Sequence, residues 1–168
     1  MASILNVDKV RATGSTTDGL VVDSSGRVTL PAIPCFTGRL TTSNSVDTSN
    51  PYTTTGTLKY DDIEVNQGSC YSASTGLFTA PVAGIYFAIV HHLTNSTASS
   101  DASVEIMKNG STTIANAYAS PNGEYVNLTC QTLISLSVND TLNTNLSSGD
   151  LYLSGAGVHG MFTVKLVG

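Results

Sequence analysis

The chain has 168 residues, of which 40% are apolar and only 11% are charged, whereas an average soluble protein has about 25% charged residues. Serine, threonine and asparagine fill the difference, with 21, 23 and 12 copies. This composition excludes a coiled coil, and the apolar fraction is too high for a charge-driven disordered chain. The net charge of −5 argues against a nucleic-acid binder, because phosphate binding needs a basic surface.

The N-terminus has no basic segment followed by an apolar run, so no secretory signal is predicted. The longest mainly apolar stretch, 80–90, is about half as long as a membrane-spanning helix requires. We therefore expect a protein that is made in the cytoplasm of its host and does not insert into a membrane. The three cysteines, Cys35, Cys70 and Cys130, lack the spacing of a disulfide framework or a zinc site. Buried or half-buried free thiols are expected instead.

The first 34 residues contain two apolar stretches, 4–10 and 19–30, and the turn-forming residues 23–26 interrupt the second. Strands this short cannot bury their apolar faces alone, so neighbouring copies of the chain are expected to cover them. We interpret residues 1–34 as an extended β leader that anchors the protein. The predicted anchoring side chains are apolar and lie in these two stretches: Ile4, Leu5, Val7, Leu20, Val22, Val28 and Leu30.

From residue 35 onward, apolar and polar residues alternate with a period of two, which is typical of β-strands. Turn signals such as Asn109-Gly110 and Asn139-Asp140 separate the runs. Many short strands with this punctuation predict a β-sandwich over residues 35–168. The segment from Ile85 to Leu93 is apolar on both faces of the predicted strand, so we expect it in the middle of the fold.

Three segments carry a more specific pattern. Residues 66–71 read Asn-x-Gly-x-x-Tyr, residues 76–81 read Gly-x-Phe-x-Ala-Pro, and residues 84–86 read Gly-x-Tyr. This pattern resembles the signature of the complement C1q/tumour-necrosis-factor-like globular head, although Ala88 stands where that family usually has an aromatic residue. The closing strand at 160–164 also resembles the family's last strand, which begins with glycine and an aromatic residue.

The resemblance implies an all-β jelly-roll head of about ten strands that assembles as a compact homotrimer. Gly84 is expected to take a positive φ in a tight turn after Pro81, and Phe78 and Phe87 are expected in the core. The predicted structural and trimer-core residues are all apolar or aromatic: Phe36, Phe78, Tyr86, Phe87, Phe162 and Leu166.

The leader resembles something else. Residues 19–30 are similar to a repeat of a triple-β-spiral viral fibre shaft, and to the short leaders of small structural proteins of tailed bacteriophages. The two resemblances together imply a trimer-forming leader joined to a trimer-forming head. Secreted complement-type proteins usually carry a signal peptide and a collagen-like stretch, and this sequence has neither.

No catalytic constellation is evident. His91 and His92 are expected to be hydrogen-bonded strand residues, with a metal site on a threefold axis as a second interpretation. Alternating strands would gather the turns 80–84, 108–111 and 138–141 at one end and the longer loops 94–101, 120–124 and 147–157 at the other. The candidate ligand contacts in those loops are polar: Asp101, Asn122, Glu124 and Asp150. Their oxygens suit calcium, or they are simply solvated loop groups; no other cofactor is predicted.

The sequence therefore predicts a non-enzymatic bacteriophage protein on the virion surface. Its leader would bind other virion proteins and its head would face outward. A short fibre or receptor-binding tip that contacts a host glycan or protein is the leading interpretation. The alternatives are a capsid decoration protein and, outside a virus, a lectin-like module.

Overall fold

A computed structural model describes residues 7–16, 18–42, 52–96, 101–154 and 156–168. The chain divides into two compact units, with the boundary between Ile33 and Pro34. The described residues form strands and turns, and none of them belongs to a helix long and apolar enough to cross a membrane.

The N-terminal unit contains a three-stranded antiparallel sheet of β1 (Lys9–Val10), β2 (Leu20–Val22) and β3 (Val28–Thr29). The turn between β2 and β3 is held by Asp23, whose carboxylate accepts hydrogen bonds from the Ser25 and Arg27 amides at 2.8 and 2.9 Å. Gly26 supplies the positive φ that closes this turn.

The apolar side chains of this sheet remain open to solvent in the single chain. Val7, Val10, Val28 and Leu30 are 43–58% exposed, and Leu20 and Val22 are half-buried. Among the predicted anchors, Ile4 and Leu5 lie outside the described residues. The anchoring role of this unit stays a prediction.

The C-terminal unit is a sandwich of two antiparallel sheets, which bears out the predicted jelly roll. The five-stranded sheet has the order β12 (Asn127–Leu136), β9 (Gly84–Leu93), β14 (Gly160–Leu166), β4 (Cys35–Arg39) and β6 (Asp62–Gln67). The other sheet runs β11 (Thr112–Ala119), β10 (Ala102–Lys108), β13 (Thr141–Ser148), β8 (Leu77–Thr79) and β7 (Tyr71–Ser72), and β5 (Gly56–Thr57) also pairs with β13.

The predicted central strand is β9, which pairs with β12 on one side and β14 on the other. Successive side chains of a strand point to opposite faces, and Tyr86, Ala88 and Val90 take the buried face. The prediction that Phe87 belongs to the core of the sandwich is therefore wrong, whereas a place for Phe87 in a trimer core stays a prediction. The pleat places Phe87 on the outward face of the sheet, where it is half-buried.

Phe36, Phe78, Tyr86 and Phe162 are fully buried in the sandwich, and Leu166 packs against its core while partly exposed. Their part in a trimer core stays a prediction. The three cysteines are free thiols, two buried and one half-buried, as predicted.

The expected conformation of Gly84, in the turn before β9, is also wrong. Gly84 does not have a positive φ. It is required for space, because a Cβ there would lie 2.6 Å from Leu166 Cδ1 and 2.7 Å from the Gly168 carbonyl oxygen. Close packing of the chain end, not backbone conformation, explains this glycine.

Candidate functional site at the loop end

The two ends of the sandwich differ, as the alternation of strands predicts. At one end the short turns are bonded together: the Ala80 amide donates to the Asp140 carbonyl at 2.9 Å, and the Asn109 amide donates to the Thr141 carbonyl at 3.0 Å. Lys108 forms an ion pair with Asp140 at 2.8 Å across the same end. The short-turn end is therefore tied down by local bonds.

The opposite end, called the loop end below, gathers the described parts of the three longer loops. The Asn95 amide donates to the Asp150 carbonyl at 3.0 Å, which joins the first loop to the third. Ser120 donates to Asp101 at 2.6 Å, and a Cβ on Gly149 would lie 2.5 Å from Ala102. The predicted grouping of loops is thus confirmed for the residues that the structure describes.

The four predicted contact residues lie in this region but do different things. Both carboxylate oxygens of Asp101 accept hydrogen bonds, one from Ser120 and one from the Tyr118 hydroxyl, and these bonds lower the pKa of Asp101. Glu124 and Asp150 are bonded through their main-chain carbonyls, to Thr94 Oγ1 at 3.3 Å and to the Asn95 amide. Asn122 occupies a turn position with a positive φ. Any role of these four residues in ligand contact stays a prediction.

Calcium binding by the loop oxygens is one interpretation of the sequence. Within the described part of the chain, acidic, histidine and cysteine side chains form no group of three that could hold a metal ion. Calcium binding at the loop end stays a prediction.

Sequence reasoning missed a row of aromatic rings at the loop end. Tyr125, Tyr152 and His159 form this aromatic surface, with ring centroids 5.2 Å apart for both neighbouring pairs and edge-to-face geometry. Tyr125 is 52% exposed, and the other two are partly exposed. Each ring stands beside a turn signal in the sequence, but only the fold brings the three turns together.

The end of β9 positions all three rings. The Leu93 amide donates to the His159 carbonyl at 3.0 Å, and the Leu93 carbonyl accepts from the Tyr152 amide at 2.8 Å. The buried Thr94 hydroxyl accepts from the Val126 amide at 2.8 Å and donates to the Glu124 carbonyl. Thr94 thus fixes the position of Tyr125 by bonding both of its neighbours in the chain, Glu124 and Val126.

The paired histidines point to opposite faces of β9. His92 is fully buried, and its Nε2 lies 2.9 Å from the Tyr60 hydroxyl, which also bonds Thr144. Burial lowers the pKa of His92 to about 3. His91 bonds Thr129 at 3.0 Å on the outward face, and its pKa is lowered by partial burial and by His159. Both are hydrogen-bonded strand residues, as predicted.

The outward face of the five-stranded sheet, called the outer sheet face below, carries a strip of apolar side chains, which polar residues such as Gln131 and Thr163 flank on β12 and β14. Ile85, Phe87 and Ile89 of β9 form its centre. Leu133 on β12 lies directly beside Phe87 and is 65% exposed. Val65, Ile85 and Met161 are 37–41% exposed on the same face. Among the described residues, these apolar side chains stay partly open to solvent.

The comparison with known families agrees with this architecture. The model of the C1q domain matches residues 40–167, which is most of the sandwich. The chain belongs to the C1q-domain family. Domains of the C1q and tumour-necrosis-factor type are typically non-enzymatic ligand-binding modules.

Solved structures of this fold superpose on the C1q domain at low sequence identity. The globular domain of zebrafish complement 1qA has a TM-score of 0.58 at 14% identity, and covers 80% of this chain and 98% of its own. Murine APRIL has a TM-score of 0.61 at 13% identity, with 80% and 99% covered. Eiger TNF from S. frugiperda has a TM-score of 0.63 at 11% identity, with 82% and 94% covered. At these identities the likeness shows the fold alone.

A Thr94→Val substitution tests how the C1q domain holds Tyr125. It removes the hydroxyl that bonds Val126 and Glu124 but keeps the side-chain shape. We expect the free energy of unfolding to fall by about 1–3 kcal/mol, because the partly buried amide of Val126 loses its acceptor. Amide hydrogen exchange at Val126 should accelerate, while the Tyr152 amide, bonded to Leu93, serves as the internal control. Unchanged exchange at Val126 would contradict this assignment.

The buried His92 predicts a pH dependence of stability. Its pKa is about 3 in the folded chain and about 6.5 in an unfolded one, so the unfolded state binds the extra proton first. Stability is therefore complete above pH 6.5 and is lost as the pH falls toward 3. Urea unfolding at pH 7 and pH 4 should show a loss on the order of a few kcal/mol. His92→Gln keeps a group that can bond Tyr60 and should lose less; an equal loss in both proteins would refute the role of His92.

Proposed function

We propose that the protein is a homotrimeric, non-enzymatic structural protein of a bacteriophage virion. Its N-terminal unit attaches it to the particle, and the loop end of its C1q domain contacts a ligand. Within this class we favour a short fibre or receptor-binding tip. The outer sheet face is the observation that carries the assembly, because an apolar surface of this kind on a single chain marks an interaction site.

The occupant of the outer sheet face is a second copy of the same chain. Phe87 and Leu133 lie side by side at its centre. Two basic residues share this face, Lys165 beside Phe87 and Arg39 near the edge. Arg39, at its edge, is already paired with Asp62 and Glu64. C1q and tumour-necrosis-factor-like family members form homotrimers, and closed cyclic symmetry lets each copy cover its neighbour's apolar face.

The topology of the C1q domain supports an outward loop end. Cys35 at the start of β4 pairs with Lys165, whereas Arg39 at its other end pairs with Met161. Met161 lies beside His91, toward the loop end, and Lys165 lies beside Phe87, toward the short turns. The chain thus enters the sandwich at the short-turn end, and the loop end lies opposite.

The N-terminal unit supports an attachment role. Its three strands leave Val10, Val28 and Leu30 about half exposed, and such short strands gain stability only when something covers them. Side-by-side copies of this unit or other virion proteins would provide that cover. A lectin-like module outside a virus is the second candidate, which the aromatic surface favours.

A Leu133→Asp substitution tests the assembly. We expect the unaltered protein to have a solution mass about three times that of the 17.4 kDa chain, and the variant to have the mass of a single chain. The residue is exposed in the single chain, so the charge should prevent association without unfolding the sandwich. Light scattering after size exclusion measures the mass.

Val82→Asp is the matched control, because Val82 is 43% exposed but lies in a turn and not on the outer sheet face. It should remain trimeric. A single-chain mass for the unaltered protein, or equal dissociation of both variants, would refute the proposed interface.

Immunogold electron microscopy with antibodies against residues 34–168 tests the virion role. Label at the tail tip is expected, label over the capsid would favour a decoration protein, and absence of label from purified particles would refute a virion role.

A variant that combines Val28→Asp with Leu30→Asp should not be incorporated into particles, because charge on these exposed anchors opposes their burial. Tyr125→Ala, at the loop end, should still be incorporated.

A further inference from the structure

We propose that the aromatic surface formed by Tyr125, Tyr152 and His159 binds neutral pyranose rings of a polysaccharide. The inference rests on the proposed ligand-contacting role of the loop end and names its ligand class. It does not depend on the number of chains in the assembly.

The rings form a pre-organised surface. They come from three separate segments. Tyr152 and His159 bond Leu93, the last residue of β9, and Tyr125 is held through the bonds of its two neighbours to the next residue, Thr94. Their backbones are therefore held by a strand in the middle of a sheet. Binding to groups already held in place avoids the entropic cost of ordering them.

The chemistry of the surface is amphipathic, which suits a sugar. Pyranose rings expose patches of C–H groups that pack against aromatic rings, and Tyr125 offers half of its surface to solvent. Neither the Tyr125 nor the Tyr152 hydroxyl has a hydrogen-bond partner among the described residues. An aromatic body with a free polar tip can contact both the C–H face and the hydroxyls of a sugar.

The charge of the surroundings selects neutral sugars over anionic ones. The sequence contains no lysine or arginine between residues 109 and 164, a range that includes all three rings. Arg39 packs beside Gly157 at the same end, but its guanidinium is paired with Asp62 and Glu64. Glu124 and Asp150 lie in the same loops, and the whole chain has a net charge of −5. A phosphorylated or carboxylated glycan would be repelled, whereas carboxylate and amide oxygens can accept bonds from neutral sugar hydroxyls.

A second copy of the chain is the competing occupant, because the aromatic surface adjoins the outer sheet face. Leu93 bonds His159 at the end of β9. Two residues earlier on the same strand, His91 pairs with Met161 of the outer sheet face. Measurement of the assembly mass together with sugar binding separates the two occupants.

The test is affinity electrophoresis of the full chain in native gels that contain dextran, yeast mannan or galactomannan. Retardation by at least one of these neutral polymers is expected. Tyr125→Ala should raise the apparent dissociation constant about tenfold, the effect of losing one good aromatic contact. Val138→Ala is the matched control, since Val138 is 53% exposed, against 52% for Tyr125, but lies in a turn at the short-turn end; it should bind normally.

Three outcomes would overturn the inference: no retardation by any of the polymers, equal weakening by both variants, or a fall in assembly mass caused by Tyr125→Ala. The last would assign the rings to contact between chains. A single-chain mass for the unaltered protein together with Tyr125-dependent retardation would refute the trimer and leave this inference standing.

Discussion

The pleat of β9 is the constraint on which the rest of this structure depends. Residues 85–90 are apolar on both faces of the strand. The pleat directs Tyr86, Ala88 and Val90 into the core and leaves Ile85, Phe87 and Ile89 on the outward face. A one-residue slip in pairing would exchange the two sets. Paired strands on both sides, β12 and β14, prevent such a slip. One strand thus supplies both the interior of the C1q domain and its candidate surface for self-association.

The same strand also connects the fold to the loop end. Leu93, the last residue of β9, and the following Thr94 provide the main-chain and hydroxyl groups that fix residues 124–126, 152 and 159. The loops are therefore not independent appendages, because their backbones are bonded to the end of β9, which pairs with a strand on each side. Rigid placement of loop side chains by a scaffold is a common basis of recognition, and here it arises from two residues.

Much of the fold could be predicted from sequence, because period-two alternation and turn residues are local signals. They located β9 in the middle of a sheet, the turn at Asp23–Gly26 and the grouping of the loops. The error at Phe87 arose because both faces of β9 are apolar, so alternation could not say which face is inside. The requirement for glycine at position 84 comes from its close contact with Gly168. The contact between the Tyr125 and Tyr152 rings depends on the whole topology. Contacts between distant segments leave no local signal.

The unusual composition now has a structural explanation. With only 11% charged residues, the surface has few fixed charges, and several of these are already paired, such as Arg39 with Glu64 and Lys108 with Asp140. Recognition through such a surface must depend on shape, apolar contact and hydrogen bonds from hydroxyl and amide groups. Those interactions are screened little by salt, unlike the steering of charged ligands. Serine, threonine and asparagine keep the surface hydrated without adding charge. A surface of this kind does not repel neighbouring copies of the chain, as the outer sheet face requires, and it can accept uncharged ligands, as the aromatic surface requires.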